Sequence, residues 1–176
     1  MPEGISVLSL SEIGFEDEID ETGTTLEENS AIKADTVYHW ILDNGHLTLD
    51  GVFADDTGLE IDALGGKPGV YTARWAGEPA ANRQKALAEL KDKTDRSAQF
   101  RTVITLIKVN GERLAVSGIV RGRIAEEEYG QGGFGYDPVF IPEGYNKTLG
   151  ELPAEIKNSI SHRSRALAEL VKLLKR

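Results

Sequence analysis

Two adjacent carboxylates, a hydroxyl and a glycine, Asp55-Asp56-Thr57-Gly58, follow the apolar run Gly51-Val52-Phe53-Ala54, and this octet concentrates chemistry more than any other stretch. Val52, Phe53 and Ala54 read as the end of a buried strand, and Asp-Asp-Thr-Gly as the turn after it. Neighbouring carboxylates repel unless something cationic stands between them. A divalent metal is the simplest such partner, because hard ions such as Mg²⁺ take oxygen ligands and often use one or two carboxylates together with substrate phosphates. On the octet alone an exposed Asp-rich turn explains the residues equally well.

Two other places carry groups that want a ligand. Gly130 to Pro138 holds four glycines and two aromatics, Phe134 and Tyr136, in nine residues. Such glycines let backbone approach a ligand and the rings offer π-faces to a base, although a plain loop with its aromatics turned into the core has the same composition. Further on, His162, Arg163 and Arg165 crowd the first turn of a helix that Ser161 caps, with Lys157 just ahead. Cations there oppose the helix dipole by roughly 0.3–1 kcal/mol each, so an anionic or carbonyl-bearing ligand at that helix start would explain them.

These groups need a scaffold, and the apolar patterns supply one. Ile5, Val7, Leu8 and Leu10 suggest a short first strand, followed by an acidic loop over Glu16 to Glu21 that reads as solvated surface. Thr25 and Glu28 are spaced as a capping box opening a helix that Asn44-Gly45 closes, with Ala34, Val37, Tyr38 and Ile41 on its inner stripe. Pro79 to Lys91 reads as a second helix; Trp75, before it, reads as a packed aromatic and stays out of the site. Phe100 to Val109 is apolar on both faces, Asn110-Gly111 is a hairpin signal, and Leu114 to Ile124 returns antiparallel. The last helix buries Leu167, Leu170, Val171 and Leu174. Helices alternating with strands point to an α/β fold, with a mixed, twisted sheet flanked by helices and two lobes about a central cleft.

The segment Asp55 to Gly77, the block Gly132-Gly133-Phe134-Gly135-Tyr136-Asp137-Pro138, and Lys157-Asn158 with Ser161-His162-Arg163 occur in one order along the chain. Together they resemble the inosine/xanthosine triphosphate pyrophosphatase family. Glu28-Asn29-Ser30-Ala31-Ile32-Lys33-Ala34 is similar to that family's Glu-Asn-x-x-x-Lys-Ala segment. The resemblance implies hydrolysis of ITP, dITP or XTP between the α- and β-phosphates, giving monophosphate and pyrophosphate and clearing such nucleotides from the pool. It implies Asp56 as the base and a metal carboxylate, Glu28 as the second metal carboxylate, Asp55 as a helper and Mg²⁺ as the cofactor. Thr57 stands where the family has Ser. Phe134, Gly135, Tyr136 and Asp137 become base-pocket candidates, Lys157 a substrate contact, and His162 with Arg163 readers of the base oxygen; a homodimer is also implied.

Relatives in this family open with a strand and a Ser/Thr-x-Asn-x-x-Lys loop ahead of the segment corresponding to Pro2 to Ile5. No such motif lies upstream of Glu28 here. A late start of the reading frame is therefore expected, with weakened hold on the triphosphate. A nucleotide-binding protein with little turnover is the alternative, and a metal-dependent sugar phosphatase a third possibility without a positive motif.

Composition narrows the classes further. The 176 residues are expected to form one domain, residues 1–176. A formal net charge of −9 argues against a nucleic-acid binder, which needs a basic face. Without cysteine there is no disulfide framework, and no apolar run approaches the roughly 20 residues that span a bilayer, so a cytoplasmic protein is expected.

Overall fold

The structure is a computed structural model that describes residues 3–46, 48–133 and 135–175. Helix α1 is one turn, Leu10–Ile13, where a strand was expected from Ile5 onward. The reason is local: the Ser9 hydroxyl accepts from the Glu12 N–H, the Glu12 carboxylate accepts from the Ser9 N–H at 2.7 Å, and Gly14 closes the turn in the left-handed region. That capping box satisfies backbone groups a strand would have left to a neighbour. Helix α2, Leu26–Asp43, buries Leu26, Ala34, Val37 and Ile41 along the expected stripe.

Strand β1 corrects the reading of the acidic octet. It runs from Gly51 through Ile61 without a turn at Asp55-Asp56, because every residue in it pairs with strand β3. After β1 the chain makes a brief return pairing at strand β2, Lys67–Pro68, then helix α3, Pro79–Glu89. Strands β3, Ser97–Lys108, and β4, Arg113–Ile124, form the expected hairpin about Asn110-Gly111, with Gly111 at φ +83°. Strand β5 is Phe140–Pro142, and helices α4, Ala154–Ile160, and α5, His162–Leu174, complete the chain.

The sheet order is β2-β1-β3-β4-β5. All four pairings among the described residues are antiparallel, where a mixed sheet was expected. A hairpin joins β3 to β4, and the longer connection through α3 also brings β3 back against the direction of β1. The α/β class with helices flanking a sheet holds. Helix α2 lies against β1 and β3, while α5 lies against β4 and β3.

At about 3.3 Å per residue, strands of this length span roughly 35–40 Å, enough to serve two cores in succession. On the α5 face, Phe53, Ile104, Leu106, Leu114 and Val116 pack with Ala166 and Leu170 at one end. At the other end Leu59, Ile61, Ala98, Phe100, Val120 and Ile124 pack with Tyr136, Val139 and Phe140. Between these cores the inward positions are polar or empty: Asp55 and Thr57 on β1, Thr102 on β3, Gly118 on β4.

Gly118 is what lets α5 begin there. A Cβ on it would meet the His162 carbonyl oxygen at 2.2 Å and the Ala166 nitrogen at 2.3 Å, so the helix backbone rests directly on β4. Arg165 fastens the same turn by donating from Nη1 to the Ile119 carbonyl at 2.7 Å. Replacing a strand glycine by alanine ordinarily stabilises through the unfolded state, but here the methyl has no room. Gly118→Ala is expected to lower stability by about 1–3 kcal/mol, the usual scale of overpacking. Urea unfolding midpoints at unchanged m-value check this.

Candidate functional site

Because side chains alternate along a strand, Asp55 and Thr57 face α5 and Asp56 faces α2. The adjacent carboxylates therefore do not share one face. From Gly51 to Leu59 the edge of β1 away from β3 carries no strand among the described residues, since β2 pairs only with Glu60 and Ile61. Both carboxylates flank that open edge from opposite sides.

On the α2 face, Lys33 Nζ lies 3.1 Å from Asp56 Oδ1 and 2.5 Å from Glu21 Oε1. Helix α2 is held at this point by the buried Ser30 Oγ to Thr105 Oγ1 hydrogen bond, 2.7 Å, which joins the helix to β3. Burial alone would lower the Lys33 pKa, but the two carboxylates outweigh it and the pKa is raised. Burial raises the Asp56 pKa, with Lys33 opposing it. Asp56 Oδ2 is buried and, among the described residues, is the one such side-chain oxygen that accepts no hydrogen bond of good geometry, although the Asn29 side chain is near enough to help hold the Asp56 pKa down against burial. An orphaned buried carboxylate oxygen costs free energy unless a ligand, proton or ion uses it.

Asn29, also buried, holds the loop ahead of α2 by accepting the Gly23 N–H at 2.8 Å. Glu28 sits beside it on an exposed turn. Thr25 caps the helix by accepting the Glu28 N–H at 3.1 Å, and the Glu28 carboxylate accepts from the backbone N–H and hydroxyl of Thr24 at 2.5 and 2.9 Å. The return bond thus goes to the residue before the cap, a shift of one position from the expected box. These bonds lower the Glu28 pKa and keep it ionised. Among the described residues no three His, Cys, Asp or Glu side chains gather as a metal cage.

On the α5 face, Thr57 Oγ1 lies 2.8 Å from Thr102 Oγ1, which lies 2.6 Å from His162 Nδ1. The imidazole stacks on Phe100, with ring centroids 5.3 Å apart and planes 25° apart. Burial, and then the Arg163 charge, push the His162 pKa down to about 4, so the ring is neutral at pH 7. Arg163 Nη2 donates to Asp55 Oδ2 at 3.1 Å. Both are well exposed, and such pairs contribute about 0–1 kcal/mol, so the guanidinium is free to turn to a ligand.

Lys157 Nζ lies 3.2 Å from Asp137 Oδ2. Gly133 (φ +73°) passes so close that a Cβ there would meet that carboxylate oxygen at 1.9 Å and Lys157 Nζ at 2.6 Å. Gly135 (φ +62°) offers its carbonyl to Arg83 Nη1 at 2.9 Å. Tyr136 departs from the expected open π-face: it is 4% exposed, packs in the core beside Phe100, and donates its hydroxyl to the Thr72 carbonyl at 2.7 Å. Its ring has more to gain from burial against Val139 and Phe140 than a surface loop offers. Phe134 lies outside the described residues.

The sequence reading missed Glu21, Phe100, Thr102 and Gly118. Glu21 lay in a run of acids taken as solvated surface, and only the fold brings it to Lys33. Thr102 had a signal, one of two threonine hydroxyls in the largely apolar stretch from Phe100 to Val109, but that stretch read as core.

The depressed His162 pKa has a stability consequence whose sign is fixed. The group is more easily protonated unfolded (near 6.5) than folded (about 4), so its contribution is complete above pH 6.5 and is lost as pH falls toward 4. The full shift corresponds to at most about 3 kcal/mol. Comparing ΔG of unfolding for the native protein and His162→Gln from pH 7 to 4, the native protein should show the steeper decline; parallel curves would contradict the assignment.

Comparison with known proteins places this geometry in a family. The Ham1 family matches residues 1–173. A dITP/XTP pyrophosphatase from Flavobacterium johnsoniae is 48% identical, over 99% of this chain and 88% of that protein. One from Bacillus subtilis is 49% identical, over 98% of this chain and 86% of that protein. Among solved structures, the Staphylococcus aureus Ham1 protein superposes with a TM-score of 0.87 at 40% identity, covering 97% of this chain and 86% of that one. A structure described as nucleoside-triphosphatase / dITP/XTP pyrophosphatase, from Mycobacterium abscessus, gives 0.78 at 40% identity, covering 96% of this chain and 87% of that one. With a match along nearly its whole length and relatives near half identity, the chain belongs to the Ham1 family.

Proposed function

We propose that this protein hydrolyses non-standard purine nucleoside triphosphates, ITP, dITP and XTP, to the monophosphate and pyrophosphate. The Flavobacterium johnsoniae and Bacillus subtilis relatives are named dITP/XTP pyrophosphatases, and the observation in this chain that carries the reading is Asp56. Its carboxylate is partly buried, its pKa is raised, a lysine holds one oxygen, and the other, buried oxygen accepts no hydrogen bond of good geometry. A raised pKa makes a carboxylate a better proton acceptor near neutral pH. In the proposed step, water attacks the α-phosphorus and gives its proton to Asp56. The bond from the α-phosphorus to the bridging oxygen breaks, and pyrophosphate leaves with that oxygen.

A divalent cation fits the same residue set. Asp56 Oδ2 is a hard, unshared oxygen, and Glu28 is an ionised carboxylate at the start of α2. Mg²⁺ asks for few protein ligands when phosphate oxygens complete its shell, so a three-residue cage is not required. Bound there, the ion would neutralise phosphate charge. Lys33 and Lys157 add cationic contacts to the phosphates, and Thr57 a hydroxyl.

The α5 side would hold the base. His162 and Arg163 offer hydrogen-bond donors to a 6-oxo group, where the amino group of adenine would meet donor with donor. Phe134, Gly135 and Asp137 complete that pocket in this reading, with Tyr136 supporting it from the core. The protein would act as one domain over residues 1–176, as a homodimer in the cytoplasm. Among the described residues no helix is long and apolar enough to cross a membrane.

Release of pyrophosphate from inosine triphosphate with Mg²⁺ is the direct assay, and chelation should abolish it. Nucleotide binding without release would make this a binding protein instead. Asp56→Asn should remove turnover while leaving the protein folded. The raised pKa means ionised Asp56 destabilises the fold as pH rises through its value, so the neutral amide relieves that cost, and Lys33 keeps Glu21. Near-normal turnover by folded Asp56→Asn protein would overturn its role. His162→Ala or Arg163→Ala should reduce the preference for inosine over adenosine triphosphate by about 1–3 kcal/mol, read as the ratio of kcat/KM values.

A further inference from the structure

No residue of α3 takes part in the chemistry proposed above, yet two neighbours near the start of that helix hold a loop that does. Asn82 is buried and donates from Nδ2 to the Thr72 and Ala73 carbonyls at 3.3 and 3.0 Å, and the same Thr72 carbonyl takes the Tyr136 hydroxyl. Arg83, the next residue, divides its guanidinium between two partners: Nε donates to Glu128 Oε1 at 3.0 Å and Nη1 to the Gly135 carbonyl at 2.9 Å. Glu128 Oε1 also accepts from Gln84 Nε2 at 3.1 Å, so the carboxylate that orients the arginine is itself held. The helix is fixed beneath by Ala86, which packs in the same core as Tyr136.

The loop from Tyr129 to Asp137 is tied at its two ends. The Tyr129 N–H donates to the Pro138 carbonyl at 2.9 Å, the Gly132 N–H to the Gly150 carbonyl at 3.0 Å, and the Gly150 N–H to the Asp137 carbonyl at 2.9 Å. Between Gly132 and Tyr136, the bond from Arg83 is the one hydrogen bond that backbone receives among the described residues. Gly133 and Gly135 both lie in the left-handed region, at φ +73° and +62°. Glycine visits that region freely but does not prefer it, so the geometry has to be imposed from outside. It matters because the Gly133 backbone abuts the Asp137 carboxylate and the Lys157 ammonium, with no room for a Cβ between them. The guanidinium is a planar, rigid fork: once Glu128 sets Nε, the direction of Nη1 is set as well.

We propose that Arg83 is a positioning residue: braced by Glu128, it holds the Gly135 carbonyl and with it the turn that sets Lys157 and Asp137 for the nucleotide, without touching the nucleotide itself. The identity of the ligand rests on the function proposed above; the hold on the loop does not. Asp56 lies apart on β1, kept in place by Lys33 and by pairing to β3. Loss of Arg83 therefore weakens nucleotide binding and leaves the chemical step alone, which raises KM at unchanged kcat.

The test combines amide hydrogen exchange with nucleotide kinetics on the full chain, native and Arg83→Ala, at about 0.15 M salt. In Arg83→Ala the amides of Gly132 and Gly150 should exchange about 3- to 10-fold faster, the effect of one net hydrogen bond, while those of β3 keep their native rates. KM for inosine triphosphate with Mg²⁺ should rise by the same factor of about 3 to 10, with kcat held within about 2-fold. Arg83→Ala also makes the protein more negative, which by itself disfavours a triphosphate. The double variant Arg83→Ala/Glu128→Ala restores the native net charge, and its KM should stay raised. Native exchange rates in the loop of folded Arg83→Ala would overturn the proposal, and so would a native KM in the double variant or a fall in kcat at unchanged KM. Should Arg83→Ala not fold, Glu128→Ala, at the more exposed end of the pair, removes the brace and should show the same faster exchange and raised KM, native values again overturning the proposal. If the exchange result holds but the native protein cleaves no nucleotide, the proposed function fails while the hold on the loop stands.

Discussion

A strand cannot show two successive side chains to the same face, and this constraint governs the whole site. Asp56 is committed to α2 and becomes a partly buried carboxylate beside Lys33; Asp55 and Thr57 are committed to α5 and meet Arg163 and Thr102. The two sets of groups are chemically unlike. One side holds a carboxylate of raised pKa with an unshared oxygen, and the other holds neutral or exposed donors suited to a carbonyl. Their common frame is a single strand, whose backbone is fixed by continuous pairing to β3.

That pairing also sets where the site lies along the strands. The apolar residues of β1, β3 and β4 divide into two cores on the α5 face, and the polar residues fall at the seam. A seam between cores is a place where side chains can be ordered without being sealed off. Phe100 belongs to one core yet forms the platform for His162, and Ala166, in the other core, belongs to the helix that carries it. Gly118 makes the join possible, since any side chain there would lift the first turn of α5 off the sheet.

Much of this was legible from residue order alone. The stripe of α2, the hairpin at Asn110-Gly111 and the Ser161 cap of α5 all follow from local rules, because periodicity, turn chemistry and capping act over a few residues. The turn expected at Asp55-Asp56 failed for the opposite reason. Asp-Asp-Thr-Gly has turn composition, but long-range pairing with β3 overrode local preference, as tertiary context does in strands. Glu21 and Thr102 were invisible as site residues for the same cause: their partners, Lys33 and His162, are 12 and 60 positions away, and no spacing rule connects them. Tyr136 was read as a ligand face because a glycine-rich loop suggests exposure, whereas its neighbours Val139 and Phe140 draw it into the core.

Charge explains why the proposed reaction calls for a divalent ion. The protein carries a formal −9, and the cations assigned to the site are not idle: Lys33 is shared by Glu21 and Asp56, Lys157 holds Asp137, and Arg163 holds Asp55. Each positive charge therefore already has a carboxylate beside it. A triphosphate arriving at such a site brings several negative charges into a region that is locally neutral or negative, and rearranging these pairs adds no positive charge. In the proposed reaction a divalent cation entering with the nucleotide adds it, and Asp56 Oδ2, buried without a well-formed hydrogen bond, would receive one. The paired cations then set geometry more than net charge, holding the carboxylates in place until a ligand competes for them.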